Sequence, residues 1–173
     1  MTQKAASLRP EQREKLLRDL WVLNDARWFL KSALDLGPEA ANKLNLTVVD
    51  SFGKTEIGRL MVEAGLDPIS DIQGFKALLE LASELYFPPD HVYAFEAIDE
   101  NTLRGHVLEC YVYKAVTKAN GTGFYTCAAE TRLGAWLEGC GLHGQVTVDR
   151  DTESCNGSCS VTFSIDWRRP ALA

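Results

Sequence analysis

No stretch of this sequence approaches the ~18 consecutive apolar residues that a membrane-spanning helix needs. The first residues, "MTQKAASLRPEQREK", hold no apolar core of a secretory signal. A reducing cytoplasm is therefore the expected setting. Lysine and arginine number 18 against 24 acids, for a net charge of −6, and they form no cluster. Binding nucleic acid needs clustered cations to neutralise phosphates, so that partner class is excluded. The same deficit argues against an anionic membrane surface. Histidine is scarce, with three residues, and no His-rich metal motif exists. Five cysteines are an odd number, and a chain of 173 residues can stabilise itself with a core. Free thiols are expected rather than a disulfide scaffold.

What is present reads as one domain over 1–173, a helical part (1–90) followed by a ββαββ part (91–173). Pro10 suits the first turn of a helix, where its missing N–H costs nothing. Leu16, Leu20, Leu23, Leu30 and Leu34 then recur at helical spacing beside Trp21 and Trp28. Gly37–Pro38 ends this helix and starts a second, running to Ala64 with Gly65 as its cap. Its inward stripe is expected to be Leu44, Val48, Phe52, Thr55, Arg59 and Val62. "SDIQ" at Ser70–Gln73 has the spacing of a capping box and opens a third helix, which Pro88–Pro89 ends.

The period then changes to that of strands. "HVYAFEAI" (91–98) and "LRGHVLECYVY" (103–113) read as a hairpin. A glycine-broken loop leads into a helix over about Thr126–Gly139. "QVTVD" (145–149) and "SVTFSIDW" (160–167) form a second hairpin around Asn156–Gly157. In the last strand Val161, Phe163, Ile165 and Trp167 share one face. The order ααα-ββ-α-ββ defines an α+β fold, helices packed on a small antiparallel sheet.

The chemistry-bearing residues are the thiols. Cys127 falls at the start of the fourth helix, about 140° from that helix's apolar centre. There the unpaired N–H groups favour a thiolate. Cys127 is thus the candidate nucleophile, with Glu130 on the same face and His106 as acid/base partners. A small packing residue is the competing account. Cys155 and Cys159 flank a Gly-containing turn, and with Cys127 they form a candidate zinc set, though a structural zinc site wants four ligands. An ordinary hairpin turn explains that pair equally. Cys110 and Cys140 read as core. Asn24 and Arg27 fall close to the apolar stripe of the first helix, beside Trp28. A guanidinium among aromatics suits a ligand carboxylate, so Asn24, Arg27 and Trp28 are candidate ligand contacts. An ion pair from Arg27 to Glu56 or Asp50 is the structural alternative.

The segment "LWVLNDARWFLKSALDLGPEAANKLNLTVVDSFGKTEIGRLM" (20–61) resembles the N-terminal signature of small bacterial and archaeal proteins grouped with L-2-amino-thiazoline-4-carboxylate hydrolase. The resemblance lies in Asp25, Trp28, Phe29, Gly37, Glu39, Ala40 and Asn45. It continues in a Cys entering a helix (Cys127) and a Gly–Ser–Cys turn (Gly157, Ser158, Cys159). The general plan is similar to 4-vinyl-reductase-like domains. The resemblance implies a small-molecule pocket between sheet and helices. It also implies hydrolysis of a C–N bond in a small cyclic amidine-like substrate, with Cys127 attacking or a bound metal supplying hydroxide, and with Arg27 holding a carboxylate. A non-catalytic ligand- or metal-binding module is the alternative. The long second helix further offers a face for a homodimer.

Overall fold

The computed structural model describes residues 7–150 and 155–167. Three helices come first: α1 (Pro10–Leu36), α2 (Pro38–Glu63) and α3 (Ile72–Tyr86). The chain continues through β1 (Val92–Ala97), β2 (Thr102–Glu109), α4 (Tyr111–Lys118), α5 (Ala129–Gly139), β3 (His143–Asp149) and β4 (Cys159–Asp166). The four strands form one antiparallel sheet in the order β1-β2-β4-β3. This is the expected α+β architecture. Its one addition is α4, where the sequence pattern carried the second strand on to Tyr113.

The punctuation works as expected at Pro10 and Pro38, which stand at the first helical positions of α1 and α2. Gly65 takes φ +63 just past α2, the left-handed conformation glycine adopts freely. The cap of α3 is Asp71 and not Ser70; its carboxylate accepts from the Gly74 N–H at 2.8 Å.

The main core lies between the sheet and helices α2, α3 and α5. It contains Ile57, Phe75, Leu78, Leu79, Leu103, Trp136 and Phe163. In β4, Val161, Phe163 and Ile165 are buried and Trp167 packs at the rim, as the alternation predicts.

Two helical stripes differ from expectation. The inward face of α2 is Ala41, Asn45, Gly53, Glu56, Ile57 and Leu60. Leu44, Val48, Phe52 and Val62 are exposed. Close packing against α5 is the reason. A Cβ on Gly53 would stand 2.8 Å from the Ala135 Cβ, and one on Gly139 would stand 2.4 Å from Ile57 Cγ2. Small residues let the two backbones approach, so the stripe follows size as much as hydropathy. In α1 the buried residues are Phe29 and Ala33. They join Ala41, Phe124 and Tyr125 in a second, smaller cluster.

Candidate functional site

A cavity of about 200 Å³ lies between α1, the sheet, α4 and α5. An apolar cavity of roughly 150 Å³ already admits a molecule the size of benzene. The walls are mostly carbon, including Val22 and Phe29 of α1, Phe87, Phe95, Val107, Val116, Phe124 and Val161. Helix α4 supplies one wall because Val112, Ala115, Val116 and Ala119 fall on one side of it. That is a 3.6-residue period hidden in a stretch rich in strand-forming Tyr and Val.

The polar groups gather at two places. At the first, Arg132 of α5 meets Glu56 of α2. Its Nε and Nη2 donate to the two carboxylate oxygens at 2.8 and 2.9 Å, a bidentate pair. Trp136 Nε1 also donates to Glu56. Burial pulls the Arg132 pKa down, but Glu56 outweighs it and the net shift is up. The guanidinium lies 5.1 Å from the Phe87 ring centroid and 5.4 Å from that of Trp136. Asp25 and Tyr111 line the same end. Burial raises the Asp25 carboxyl above its usual range while Arg132 pulls it back. Asp25 as a whole remains solvent-accessible, which places the open edge of the cavity beside α1. Burial raises the Tyr111 and Tyr125 phenols as well.

The second place is rich in sulfur. Cys110, Cys127, Cys155 and Cys159 all line the cavity, and Arg150 stands among them. Burial lowers the Arg150 pKa, but the neighbouring Cys127 sulfur outweighs it and the net shift is up. Burial pushes the Cys159 thiol up to about 11 and also raises Cys110. Cys140 lies outside the cavity lining. Its Sγ donates to the carbonyls of Trp136 and Leu137 at 3.0 and 3.2 Å, and burial pushes it up to about 12. Cys140 is the core thiol the sequence indicated. Cys110 instead precedes α4 and opens onto the cavity.

Two residues of the wall, Ser83 and His91, each enclose a polar atom, Ser83 Oγ and His91 Nδ1, that finds no hydrogen-bond partner among the described residues and is shut off from the cavity. Ser83 is only 1% exposed. Burial lowers the His91 pKa to about 4, so its ring is neutral at pH 7.

Of the residues singled out by sequence, Cys127, His106, Cys155 and Cys159 line the cavity. His106 Nδ1 lies 3.3 Å from Ser160 Oγ. Glu130 is exposed and outside the lining. Cys127 precedes Ala128, the N-cap of α5, and so stands just outside the helix rather than in its first turn. Among the described residues no group of three or more His, Cys, Asp or Glu is placed to hold a metal ion, which leaves Cys127, Cys155 and Cys159 short of a zinc set.

Asn24, Arg27 and Trp28 are exposed and outside the cavity lining. The cavity side of α1 is Val22, Asp25, Ala26, Phe29 and Leu30, and at about 100° per residue the other three turn away from it. Glu56 pairs with Arg132 and Asp50 with Lys54, so neither takes Arg27 in the ion pair considered for it. Sequence reasoning missed Arg132, Tyr111, His91, Ser83 and Arg150 as site residues. Their only linear signal was polarity on elements otherwise read as packing.

No family model matches the chain, and no curated protein matches it.

Proposed function

We propose that this protein binds a small, largely apolar carboxylic acid in the cavity between sheet and helices. The observation that carries this reading is a cavity of about 200 Å³ with mostly carbon walls, into which a few polar side chains, Arg150 and Tyr111 among them, are gathered at two places. A few polar groups converging in an apolar concavity is the usual form of a small-molecule site. Arg132 is held by Glu56, so the guanidinium left to meet a ligand carboxylate is that of Arg150. It takes the role the sequence reading gave to Arg27.

A second reading is hydrolysis of a C–N bond, favoured by the placing of Arg150 and Cys127 together on the cavity wall. In it, Cys127 Sγ bonds to the amidine-like carbon and its proton passes to the substrate nitrogen. The C–N bond of that tetrahedral carbon then breaks, the amine leaving with a proton and a thioimidate remaining on Cys127. Water adds to the thioimidate carbon, the C–S bond breaks and the thiol regains its proton as the carbonyl product leaves. This is the reaction class implied by the resemblance noted above.

Calorimetric titration with a panel of small aromatic and heterocyclic carboxylic acids tests the first reading. A member of the panel is expected to bind, and Arg150→Ala to weaken it at least tenfold. Ala26→Phe, which fills the cavity, is expected to abolish binding with the fold retained. Binding unaffected by both variants overturns the assignment. Turnover of a cyclic amidine that is lost in Cys127→Ser, with binding kept, selects the hydrolase.

A further inference from the structure

Four of the five cysteines, Cys110, Cys127, Cys155 and Cys159, line one cavity, and all of them are free thiols. The fold brings them there from separate places in the chain. Cys159 opens β4 on the same strand face as the buried Val161 and Phe163, so its side chain points inward. Cys110 stands at the N-cap of α4. Its N–H donates at 2.9 Å to the carbonyl of Gly157, midway between Cys155 and Cys159. Gly157 holds φ +96, and a Cβ there would stand 2.8 Å from Tyr113 Cδ1, so this turn sits tightly on α4. Cys127 comes from the segment that enters α5. Among the neighbouring charges felt by Cys110, Cys159 and Arg150, that of Cys127 is the largest, which puts Cys127 at the centre of the group. Packing alone does not call for four oxidisable sulfurs and a guanidinium together in a carbon-lined chamber.

We infer that this thiol cluster reduces organic hydroperoxides, with Cys127 attacking and Cys159 resolving, a reading that rests on the cavity being the small-molecule site proposed above. Cys127 Sγ attacks the terminal oxygen of the hydroperoxide and the O–O bond breaks. The sulfur is oxidised to a sulfenic acid, and the alkoxide takes a proton and leaves as the alcohol. Arg150, beside Cys127, stabilises the negative charge that develops on the departing oxygen. Cys159 Sγ then attacks the Cys127 sulfur. The S–O bond breaks, and the hydroxyl leaves as water with the Cys159 proton. One hydroperoxide and two thiols thus give one alcohol, one water and one disulfide. A small dithiol reductant returns both sulfurs to thiols by exchange. The carbon walls favour an organic hydroperoxide over hydrogen peroxide, because its alkyl or aryl group gains by leaving water. Cys159 is the partner rather than Cys155 because it is half-buried in the wall, whereas Cys155 is exposed.

Oxidation of the full chain, reduced and then freed of reductant, tests this with equimolar cumene hydroperoxide or hydrogen peroxide. Peptide mass spectra are expected to show a Cys127–Cys159 disulfide, formed with release of 2-phenyl-2-propanol, while Cys140 stays reduced. Cumene hydroperoxide is expected to react at least tenfold faster than hydrogen peroxide. Cys127→Ser is expected to lose the fast reaction with unchanged circular dichroism. Cys159→Ser is expected to stop at a sulfenic acid on Cys127, which dimedone captures. Ala26→Phe is expected to slow cumene hydroperoxide at least tenfold and hydrogen peroxide little. Equal rates for the two oxidants in the wild type overturn the assignment, as does first oxidation at Cys155 or a Cys127 no faster than free cysteine. Carboxylic-acid binding beside inert thiols overturns hydroperoxide reduction alone. A Cys127–Cys159 disulfide formed quickly in a protein that binds no acid supports it and removes only the acid reading.

Discussion

His91 carries the most strongly displaced histidine titration, and burial is the first cause. Its ring meets Phe87 edge-on at 4.6 Å and Tyr111 at 5.4 Å, and Nδ1 has no partner among the described residues. An unfolded His91 takes a proton near 6.5, whereas the folded one takes it near 4. Between those values the unfolded chain binds a proton that the folded chain does not. Its contribution is therefore intact above pH 6.5 and is lost as pH falls toward 4. The full shift would be worth about 3 kcal/mol, and its partial exposure reduces this to about 1–2 kcal/mol. Asp25 works the other way, because its raised carboxyl favours the folded state as pH falls. It is unchanged in a His91→Phe variant, so the difference between the two proteins isolates the histidine. Urea unfolding at pH 7 and pH 4.5 is expected to show a smaller acid loss for His91→Phe. Equal losses would mean that water already satisfies Nδ1.

Helices α2 and α5 approach as closely as their glycines allow, which sets two substitutions in opposite directions. Alanine at Gly139 must displace Ile57 Cγ2 at 2.4 Å and the Lys54 carbonyl at 2.7 Å. Overpacking of this kind costs about 1–3 kcal/mol, more than the ~1 kcal/mol gained in helix propensity. Gly134 lies in the same helix with nothing within 4 Å of its Cβ position. Gly134→Ala is expected to stabilise by up to ~1 kcal/mol and Gly139→Ala to destabilise, read from denaturant midpoints. The same glycines explain which parts of the fold were legible in the sequence. Helix ends at Pro10, Gly37–Pro38 and Gly65 rest on local backbone chemistry, and they were readable. So was β4, whose alternation is two-sided. The inward stripe of α2 was not, because contact there is made by Ala41, Gly53 and Glu56, which a hydropathy count ranks low. Helix α4 was hidden because Tyr111, Val112 and Tyr113 favour strands locally, and the cavity wall they help build is a tertiary fact. In the site, Cys127, Cys155, Cys159 and His106 were visible as reactive types. The Arg132–Glu56 pair was not, since 76 residues separate its members and neither occupies a motif.

On the scale of the whole molecule, α1 is held less than the helices α2, α3 and α5. The sheet, α2, α3 and α5 share the large core, whereas α1 is fastened through Phe29 and Ala33 to Ala41, Phe124 and Tyr125. The rings of Phe29 and Tyr125 meet at 5.1 Å, and Arg18 adds one hydrogen bond to the Phe87 carbonyl at 3.3 Å. Local opening free energies follow the amount of buried contact, so α1 should open at a cost well below global unfolding. Because α1 also forms a wall of the cavity, its opening is the natural route for a ligand. Amide hydrogen exchange in dilute, ligand-free protein is therefore expected to be faster in α1 than in α3 or α5. A bound acid is expected to slow exchange in residues 22–30 and in the 121–128 loop, by stabilising the closed state in proportion to occupancy. If α1 exchanges as slowly as α3 in dilute ligand-free protein, the helix is a fixed wall. The ligand must then enter past the exposed Arg150 and the turn that carries Cys155.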